Sequence, residues 1–202
     1  MHNVRADEEE ASSRDRADNA GRLTTPMTDF QKPNVTFERE RGVYAIQVTP
    51  DVAHTIIDFG ETSDRSAFIS RVLRTLADAT IPIFLVKIHR SAVTLALVGT
   101  DVEAAEAALK TAGFPMDTRR DLALVVVRAA SMRDMAGVMV AISDSLTAAN
   151  ARLFETGDSH NSVQCLIEAD LAAAAAAELC RTFHLDPATA IHEVTLGGDY
   201  GA

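Results

Sequence analysis

Residues 131–168 read SMRDMAGVMVAISDSLTAANARLFETGDSHNSVQCLIE and hold the clearest fold pattern of the chain. It follows an apolar run at residues 122–127 (LALVVV), which is typical of a buried strand. A loop containing Gly137 then opens a helix, because Val138, Ile142 and Leu146 recur at helical spacing. Two more strand-like runs follow. The pattern therefore predicts a strand, a glycine loop, a helix and two strands, in that order.

Two phrases within this stretch carry a family resemblance. Residues 132–142 read MRDMAGVMVAI, and residues 153–163 read LFETGDSHNSV. They resemble the phrases MRGVPGVMARI and ILQTADSHTTI of the second ACT domain of aspartokinases. The order of elements also resembles the ACT domain, a module that binds free amino acids. The resemblance implies an amino-acid sensor rather than a catalyst.

The bulk properties narrow the classes of partner. The 202 residues are 47% hydrophobic and carry a formal net charge of −10. An acidic chain lacks the basic surface that nucleic acids and anionic membranes require. The sequence has no apolar run near the roughly 18–20 residues of a membrane span, and its N-terminus lacks the apolar core of a secretory signal. We therefore predict a cytoplasmic protein with neither a nucleic-acid nor a membrane partner.

The chain divides into a polar tail, two similar units and a second tail. Residues 1–32 are predicted to be disordered, because they are nearly free of large apolar groups. The first unit is placed at residues 35–116, the second at residues 120–186 and the C-terminal tail at residues 187–202. Leu76 matches Leu146 at an offset of 70, and a later shift to 69 pairs Phe114 with Phe183. Core positions match in register, which indicates a duplication.

Each unit reads β-α-β-β-α, and its fourth strand comes from elsewhere in the chain. The predicted fold class is α+β, with two ferredoxin-like (βαββαβ) ACT modules built on antiparallel sheets. The resemblance implies that the modules exchange terminal strands, and it gives this role to residues 35–37. Residues 44–49 are predicted to form a second strand, and residues 50–64 a loop.

The glycine loop is the first candidate site. Backbone N–H groups at a helix N-terminus favour an anion, and Gly137 lets a ligand approach the backbone. The carboxylate of an amino acid suits these amides, and Asp134 could accept its ammonium group; alternatively, Asp134 only caps the helix. Ala136 stands where the family commonly has proline. The predicted ligand-binding residues of this loop are Asp134, Met135, Ala136, Gly137, Val138 and Met139.

Two further sets complete the predicted site. Asn150 and Ala151 begin a strand predicted at residues 150–154 and match family positions that contact the effector, although Asn150 could instead end the helix in a left-handed conformation. Asp158, Ser159 and His160 resemble the DSH phrase and are predicted to make polar contacts to a ligand or across a dimer. A solvated hairpin turn is the alternative. Catalysis by these three is not expected, because adjacent strand residues point to opposite faces.

The leading functional hypothesis is an amino-acid-binding regulatory protein that resembles an aspartokinase regulatory subunit. Lysine, threonine, methionine and diaminopimelate are the expected ligand classes. Exposed sheet edges predict a homodimer, and an aspartokinase catalytic subunit is the expected partner enzyme. No kinase activity, catalytic residue, metal or cofactor is expected, because the histidines lack ligand spacing and no phosphate-binding glycine motif is present. A ligand-free scaffold and an enzyme on a ferredoxin-like fold are the alternatives.

Overall fold

Two long, paired strands lie at the centre of the sheet, and the shorter strands flank them on either side. A computed structural model describes residues 42–60 and 64–196, apart from the side chain of Arg133. The predicted tail at residues 1–32 and the predicted strand at residues 35–37 lie outside this part. The strands are β1 (Gly42–Asp58), β2 (Leu85–Ile88), β3 (Ala92–Val98), β4 (Met116–Ala130), β5 (Glu155–Asp158), β6 (Ser162–Glu168) and β7 (Ile191–Glu193).

Capping residues mark the ends of several helices. They are α1 (Arg65–Asp78), α2 (Val102–Thr111), α3 (Val138–Ala148), α4 (Ala172–Thr182) and α5 (Pro187–Ala190). The Asp64 carboxylate accepts a hydrogen bond from the Ala67 amide at 3.1 Å and caps α1. Left-handed residues end α1 and α3: Thr80 has φ 58° and Asn150 has φ 56°.

The strands form one seven-stranded sheet in the order β2-β3-β1-β4-β6-β5, and β7 pairs with the outer side of β1. All pairings are antiparallel except that of β7 with β1, which is parallel. The predicted mixture of helices with an antiparallel sheet is therefore confirmed, and β7 is the exception to it.

The prediction of a loop at residues 50–64 is wrong, because β1 continues through this region to Asp58. Pro50 and Asp51 resemble a turn in sequence, and Asp51 has a left-handed φ of 55°. Nevertheless β4 pairs with β1 on both sides of them, and the irregularity is a bulge between Thr49 and Val52. Likewise, the residues between the two predicted units belong to β4, which starts at Met116.

The internal repeat is visible in the structure at an offset of 70 residues. β2 matches β5, β3 matches β6, and Val52 pairs with its own counterpart, Leu122. We call residues 52–121 the first repeat and residues 122–191 the second repeat. The predicted shift to an offset of 69 is wrong: Phe114 and Leu185 occupy matching helix-end positions, bonding to Leu109 and Cys180, at an offset of 71. The second repeat therefore gains a residue here.

Each repeat buries one face of its sheet beneath two helices. In the first repeat Val93, Leu95 and Leu97 of β3 pack with residues of α1 and α2. In the second repeat Val163, Cys165 and Ile167 of β6 pack with residues of α3 and α4. The small residues of α4 serve this packing, since Ala172, Ala175 and Ala176 are buried in the core. Strand alternation then leaves the other face of each sheet to be covered by something else.

The sheet faces that no helix covers, one in each repeat, pack against each other. A third apolar cluster joins the two repeats, and its buried members are Val52, Leu85, Ala96, Leu122, Leu124, Val126 and Leu166. β2 and β5 lie at opposite ends of the strand order, yet their side chains meet: a Cβ added to Gly157 would lie 2.7 Å from Leu85 Cδ1. The sheet therefore folds over at the bulges in β1 and β4, and both faces of β3 and β6 become buried.

The first half of β1 completes the sheet of the second repeat, and its second half belongs to the sheet of the first repeat. Residues 42–49 of β1 pair with β4 in the second repeat, whereas residues 52–58 pair with β3 in the first. The segment assigned to a C-terminal tail also belongs partly to the fold, because α5 and β7 occupy residues 187–193 and Ala190 is buried. The Val194 amide extends this edge with a 2.8 Å bond to the Val48 carbonyl.

Candidate functional site

A cleft of about 560 Å³ opens in the second repeat between the loop after β4 and the end of the β5 strand. This volume lies within the range of small-molecule sites. One wall is apolar and rich in methionine; the other is the β5–β6 hairpin. The lining residues are Met132, Met135, Val138, Met139, Thr156, Gly157, Asp158, Ser159, His160 and Val163.

The loop before α3 is held by two left-handed residues and a short 3₁₀ turn. Ser131 has φ 58° and Gly137 has φ 81°, and Met132–Asp134 form the turn between them. Gly137 lies at the N-cap of α3 and makes no side-chain capping bond. The amides of the first helical turn have no earlier turn to bond to. Asp134 does not cap α3, because it lies within the 3₁₀ turn, three residues before the helix cap.

The structure divides the six predicted loop residues into two groups. Met135, Val138 and Met139 line the cleft, whereas Asp134, Ala136 and Gly137 are exposed beside it. Met139 and the neighbouring Val140 remain largely exposed for apolar residues, at 46% and 63%. The cleft therefore presents flexible, polarisable side chains to an incoming ligand.

Asn150 and Ala151 do not join these residues. They follow α3, whose 11 residues separate them from Gly137 by about 16 Å. Ala151 is buried in the core of the second repeat, and Asn150 ends the helix with its positive φ. The predicted strand around them begins only at Glu155. Within one chain these two residues cannot contact a ligand held in the cleft.

Asp158, Ser159 and His160 lie on the hairpin wall of the cleft. The Ser159 hydroxyl donates to Asn161 Oδ1 at 3.1 Å and lies 2.7 Å from Ser162 Oγ. Its amide donates to the Ser162 carbonyl at 2.8 Å, which closes the turn. Ser159 therefore shapes the turn, while the exposed Asp158 and His160 present polar groups to the cleft.

Larger side chains occupy the matching position in the first repeat. Arg65 matches Met135, and its guanidinium donates to the backbone carbonyl of His89 on the facing turn. Phe68 matches Val138 and packs against Phe59 and Phe114, with ring centroids 5.1 Å apart in both pairs. These groups take the space that the second repeat leaves open.

Sequence reasoning missed a polar cluster between the two repeats. We call it the Glu155 cluster, and its members are His54, Lys87, His89, Thr94 and Glu155. One Glu155 oxygen, Oε1, lies 3.2 Å from Lys87 Nζ. The other, Oε2, accepts a 2.9 Å bond from Thr94 and lies 3.5 Å from His54 Nε2 and 3.7 Å from His89 Nε2.

The cluster touches the back of the cleft. Lys87 Nζ donates to Thr156 Oγ1 at 3.3 Å, and Thr156 lines the cleft. Only 10% of the Glu155 side chain is exposed. A signal for the cluster was available in the repeat, since Glu155 matches Leu85 and so places a charge where its counterpart is apolar.

Charge and burial act together on this cluster. Burial raises the pKa of Glu155, but hydrogen bonds from Thr94 and Lys87 and the lysine charge outweigh it, so this pKa lies below its usual value. Burial lowers the pKa of His54 below its usual value, against the opposing effect of Glu155. At neutral pH the favoured state is an ionised Glu155 beside a neutral His54.

Within residues 42–60 and 64–196, no group of three or more His, Cys, Asp or Glu residues is placed to hold a metal ion. None of the helices in that part of the chain is long and apolar enough to cross a membrane. Cys165 and Cys180 are buried free thiols, and burial raises the pKa of Cys165 to about 12.

Solved structures similar to this chain include regulatory subunits of aspartate kinases and whole aspartokinases. The regulatory subunit from Thermus flavus matches with a TM-score of 0.63 and 17% identity, covering 71% of this chain and 99% of that chain. The ligand-free subunit from Thermus thermophilus gives 0.65 and 17%, covering 72% and 100%. E. coli aspartokinase III in complex with lysine and aspartate gives 0.57 and 16%, covering 72% of this chain and 34% of that chain.

No protein-family model matches the chain, and no curated protein matches it in sequence. At 16–17% identity the structural likeness shows the fold alone. The chain therefore has the mixed helix and antiparallel-sheet fold of aspartokinase regulatory subunits, and it spans those separate subunits almost completely.

Proposed function

We propose that this protein is an amino-acid-binding regulatory protein of the aspartokinase type. It would consist of two ferredoxin-like ACT modules, corresponding to the two repeats, that exchange their entering strands. The observation that carries the proposal is the cleft between the loop before α3 and the β5–β6 hairpin. It lies at a helix N-terminus, within a fold similar to those regulatory subunits.

The cleft offers a complementary group for each part of an amino acid. The backbone amides at the start of α3 suit its carboxylate. Asp158 on the hairpin, or Asp134 beside the loop, suits its ammonium group. The methionine wall, which includes Met135 and Met139, suits an aliphatic or thioether side chain. Ligands of the aspartate family, namely lysine, threonine, methionine or diaminopimelate, meet these requirements to different degrees.

Ligand binding would act on a partner by stabilising one arrangement of the two repeats. A homodimer would cover the exposed edge strands β2 and β5, and Met139 and Val140 beside β5 would lie in such an interface. The natural partner enzyme is an aspartokinase catalytic subunit in the cytoplasm. Catalysis by this chain itself has no support in the described residues.

A panel of the twenty amino acids and diaminopimelate, measured by thermal shift on the full chain, tests the proposal. A ligand that binds only the folded state raises Tm, and at 100 times its Kd it adds about 2.7 kcal/mol of stability. We expect one or two aspartate-family members to do so.

The variant Asp158→Asn should weaken the ligand-induced shift by removing the carboxylate from the hairpin wall. Asp144→Asn, on the exposed side of α3, is the matched control and should keep the full shift. If no amino acid shifts Tm at millimolar concentration, the sensor function is wrong. In that case the ligand-free scaffold, which only dimerises or binds a partner enzyme, is the surviving alternative.

A further inference from the structure

The Glu155 cluster ties strand β5 to the first repeat. Within the described part of the chain, strand pairing attaches β5 only to β6, and side chains make its contacts to the first repeat. Glu155 contacts Lys87 from β2, Thr94 from β3 and His54 from β1. Two residues further along β5, Gly157 packs against Leu85. Side-chain contacts therefore hold β5 against the first repeat.

His54 is the unusual member of the cluster. Its Nε2 atom is buried and makes no hydrogen bond among the described residues. The nearest carboxylate oxygen, Glu155 Oε2, lies 3.5 Å away, beyond the usual N–H···O range, and already accepts a bond from Thr94. A neutral imidazole tolerates this position, whereas an imidazolium would be a buried charge whose nearest acceptor lies 3.5 Å away and already accepts a bond from Thr94.

The charges facing His54 oppose a second cation. Lys87 from β2 and Arg119 from β4 are positive, and Glu155 is the negative group among them. His89, after β2, faces the same Glu155 oxygen. The facing residues on β6 and β3, which include Leu166 and Thr94, carry no charge. With neutral imidazoles the contact holds two cations and one anion, so each further proton increases an excess of positive charge.

We propose that the Glu155 cluster is a proton-operated latch, which holds β5 against the first repeat at neutral pH and releases it when His54 is protonated. Because β5 also carries Thr156, Gly157 and Asp158, release would loosen the hairpin wall of the cleft. That last consequence rests on the proposed ligand site, whereas the latch itself does not.

The direction of the pH effect follows from linkage. Burial lowers the pKa of His54 in the folded state, so the unfolded chain binds a proton more readily. Stability is therefore complete above the ordinary histidine pKa of about 6.5 and falls as the pH drops below it. For one proton, the folding equilibrium constant changes by no more than about tenfold per pH unit.

Urea unfolding of the full chain between pH 7.5 and 5.5 tests the latch without any ligand. The wild type should lose stability across this interval, and His54→Gln should flatten the loss because it cannot take up the proton. His192→Gln, an exposed histidine on β7, is the matched control and should keep the wild-type slope. An unchanged slope in His54→Gln would overturn the proposal.

A second measurement covers the case in which His54→Gln does not fold. NMR of the wild type should show the His54 ring titrating below pH 6.5. At the same midpoint, the β5 amides that bond to β6 should lose hydrogen-exchange protection, after correction for intrinsic rates. Titration of the ring with unchanged β5 protection would refute the latch. Neither outcome depends on whether an amino acid binds in the cleft.

Discussion

The two ends of the contact between the repeats have the same backbone arrangement and opposite chemistry. At one end Leu85 packs against Gly157 and joins Leu124 in the apolar cluster. At the other end the 70-residue offset replaces these three by Glu155, Lys87 and His54, which form an ion-pair cluster around the largely buried Glu155 carboxylate. The duplicated backbone therefore forms two equivalent contacts between the repeats. One end is held by apolar packing, which is insensitive to pH, and the other by charges that titrate.

A second contrast separates the two loops that precede α1 and α3. In the second repeat small and flexible side chains leave a cleft, whereas in the first repeat Arg65 and Phe68 occupy the matching space. The repeats thus divide their tasks: one carries the open cleft, and both supply the contact behind it.

The largest expected effect comes from placing a charge at the apolar end. Leu85→Glu would bury a carboxylate whose neighbours are Gly157 and other apolar groups, while Lys87, on the same strand face, is already bound to Glu155. An unpaired buried charge costs about 3–5 kcal/mol. We expect urea unfolding at pH 7.5 to show a loss of this size.

Val86→Glu is the control for that substitution, because Val86 is its exposed neighbour on the opposite strand face. It should change the free energy of unfolding by no more than about 0.5 kcal/mol. Equal losses in the two variants would show that the apolar end does not depend on its lack of charge.

An intermediate effect is expected from filling the closest approach between the repeats. The Cβ of Gly157→Ala would lie 2.7 Å from Leu85 Cδ1 and 3.0 Å from Gln164 Oε1. Overpacking of this kind costs about 1–3 kcal/mol. In a Leu85→Ala background the same substitution should cost less, because the obstructing methyl group is gone. A double-mutant cycle measures this coupling, and a coupling energy of zero would contradict the observed contact.

The smallest effect concerns the matching helix ends. Thr80 and Asn150 both have a left-handed φ, but a β-branched residue is disfavoured there and asparagine is tolerated. Thr80→Asn should therefore add about 0.5–1 kcal/mol to the free energy of unfolding, and Asn150→Thr should remove a similar amount. Thermal unfolding of both variants checks the signs. Two changes of the same sign would show that the repeats differ at these ends in more than backbone strain.

Most elements could be predicted from sequence, because their patterns are local. The apolar periodicity of α1 and α3 and the Gly137 loop follow from neighbouring residues. The course of β1 through Pro50 and Asp51 could not be predicted, because the pairing of β4 on both sides overrides a local turn signal. The pairing of the short strand β7 could likewise not be predicted, since its partner lies more than 140 residues away in sequence.

In the candidate site too, features set by neighbouring residues were predicted and contacts between distant segments were not. The loop and hairpin residues that line the cleft, such as Met135 and Asp158, were identified from motif phrases. Asn150 and Ala151 were grouped with them because the matching family positions contact the effector, but the length of α3 separates them from the loop. His54 and Glu155 were missed as a pair because a strand and a distant hairpin meet only after the sheet folds over.

From the spacing of neighbouring residues, the sequence predicts helices α1 to α4, most strands and the Gly137 loop. The repeat shows as apolar positions in register 70 residues apart, and several residues of the cleft were identified from the family phrases. The tertiary structure brings the two sheet faces together and selects the residues that meet between them. It also places the charged Glu155 cluster at one end of this contact. The physical reason is that a sheet face has no preferred partner until another surface excludes water from it. Here that surface is the chain's own second copy of the same fold.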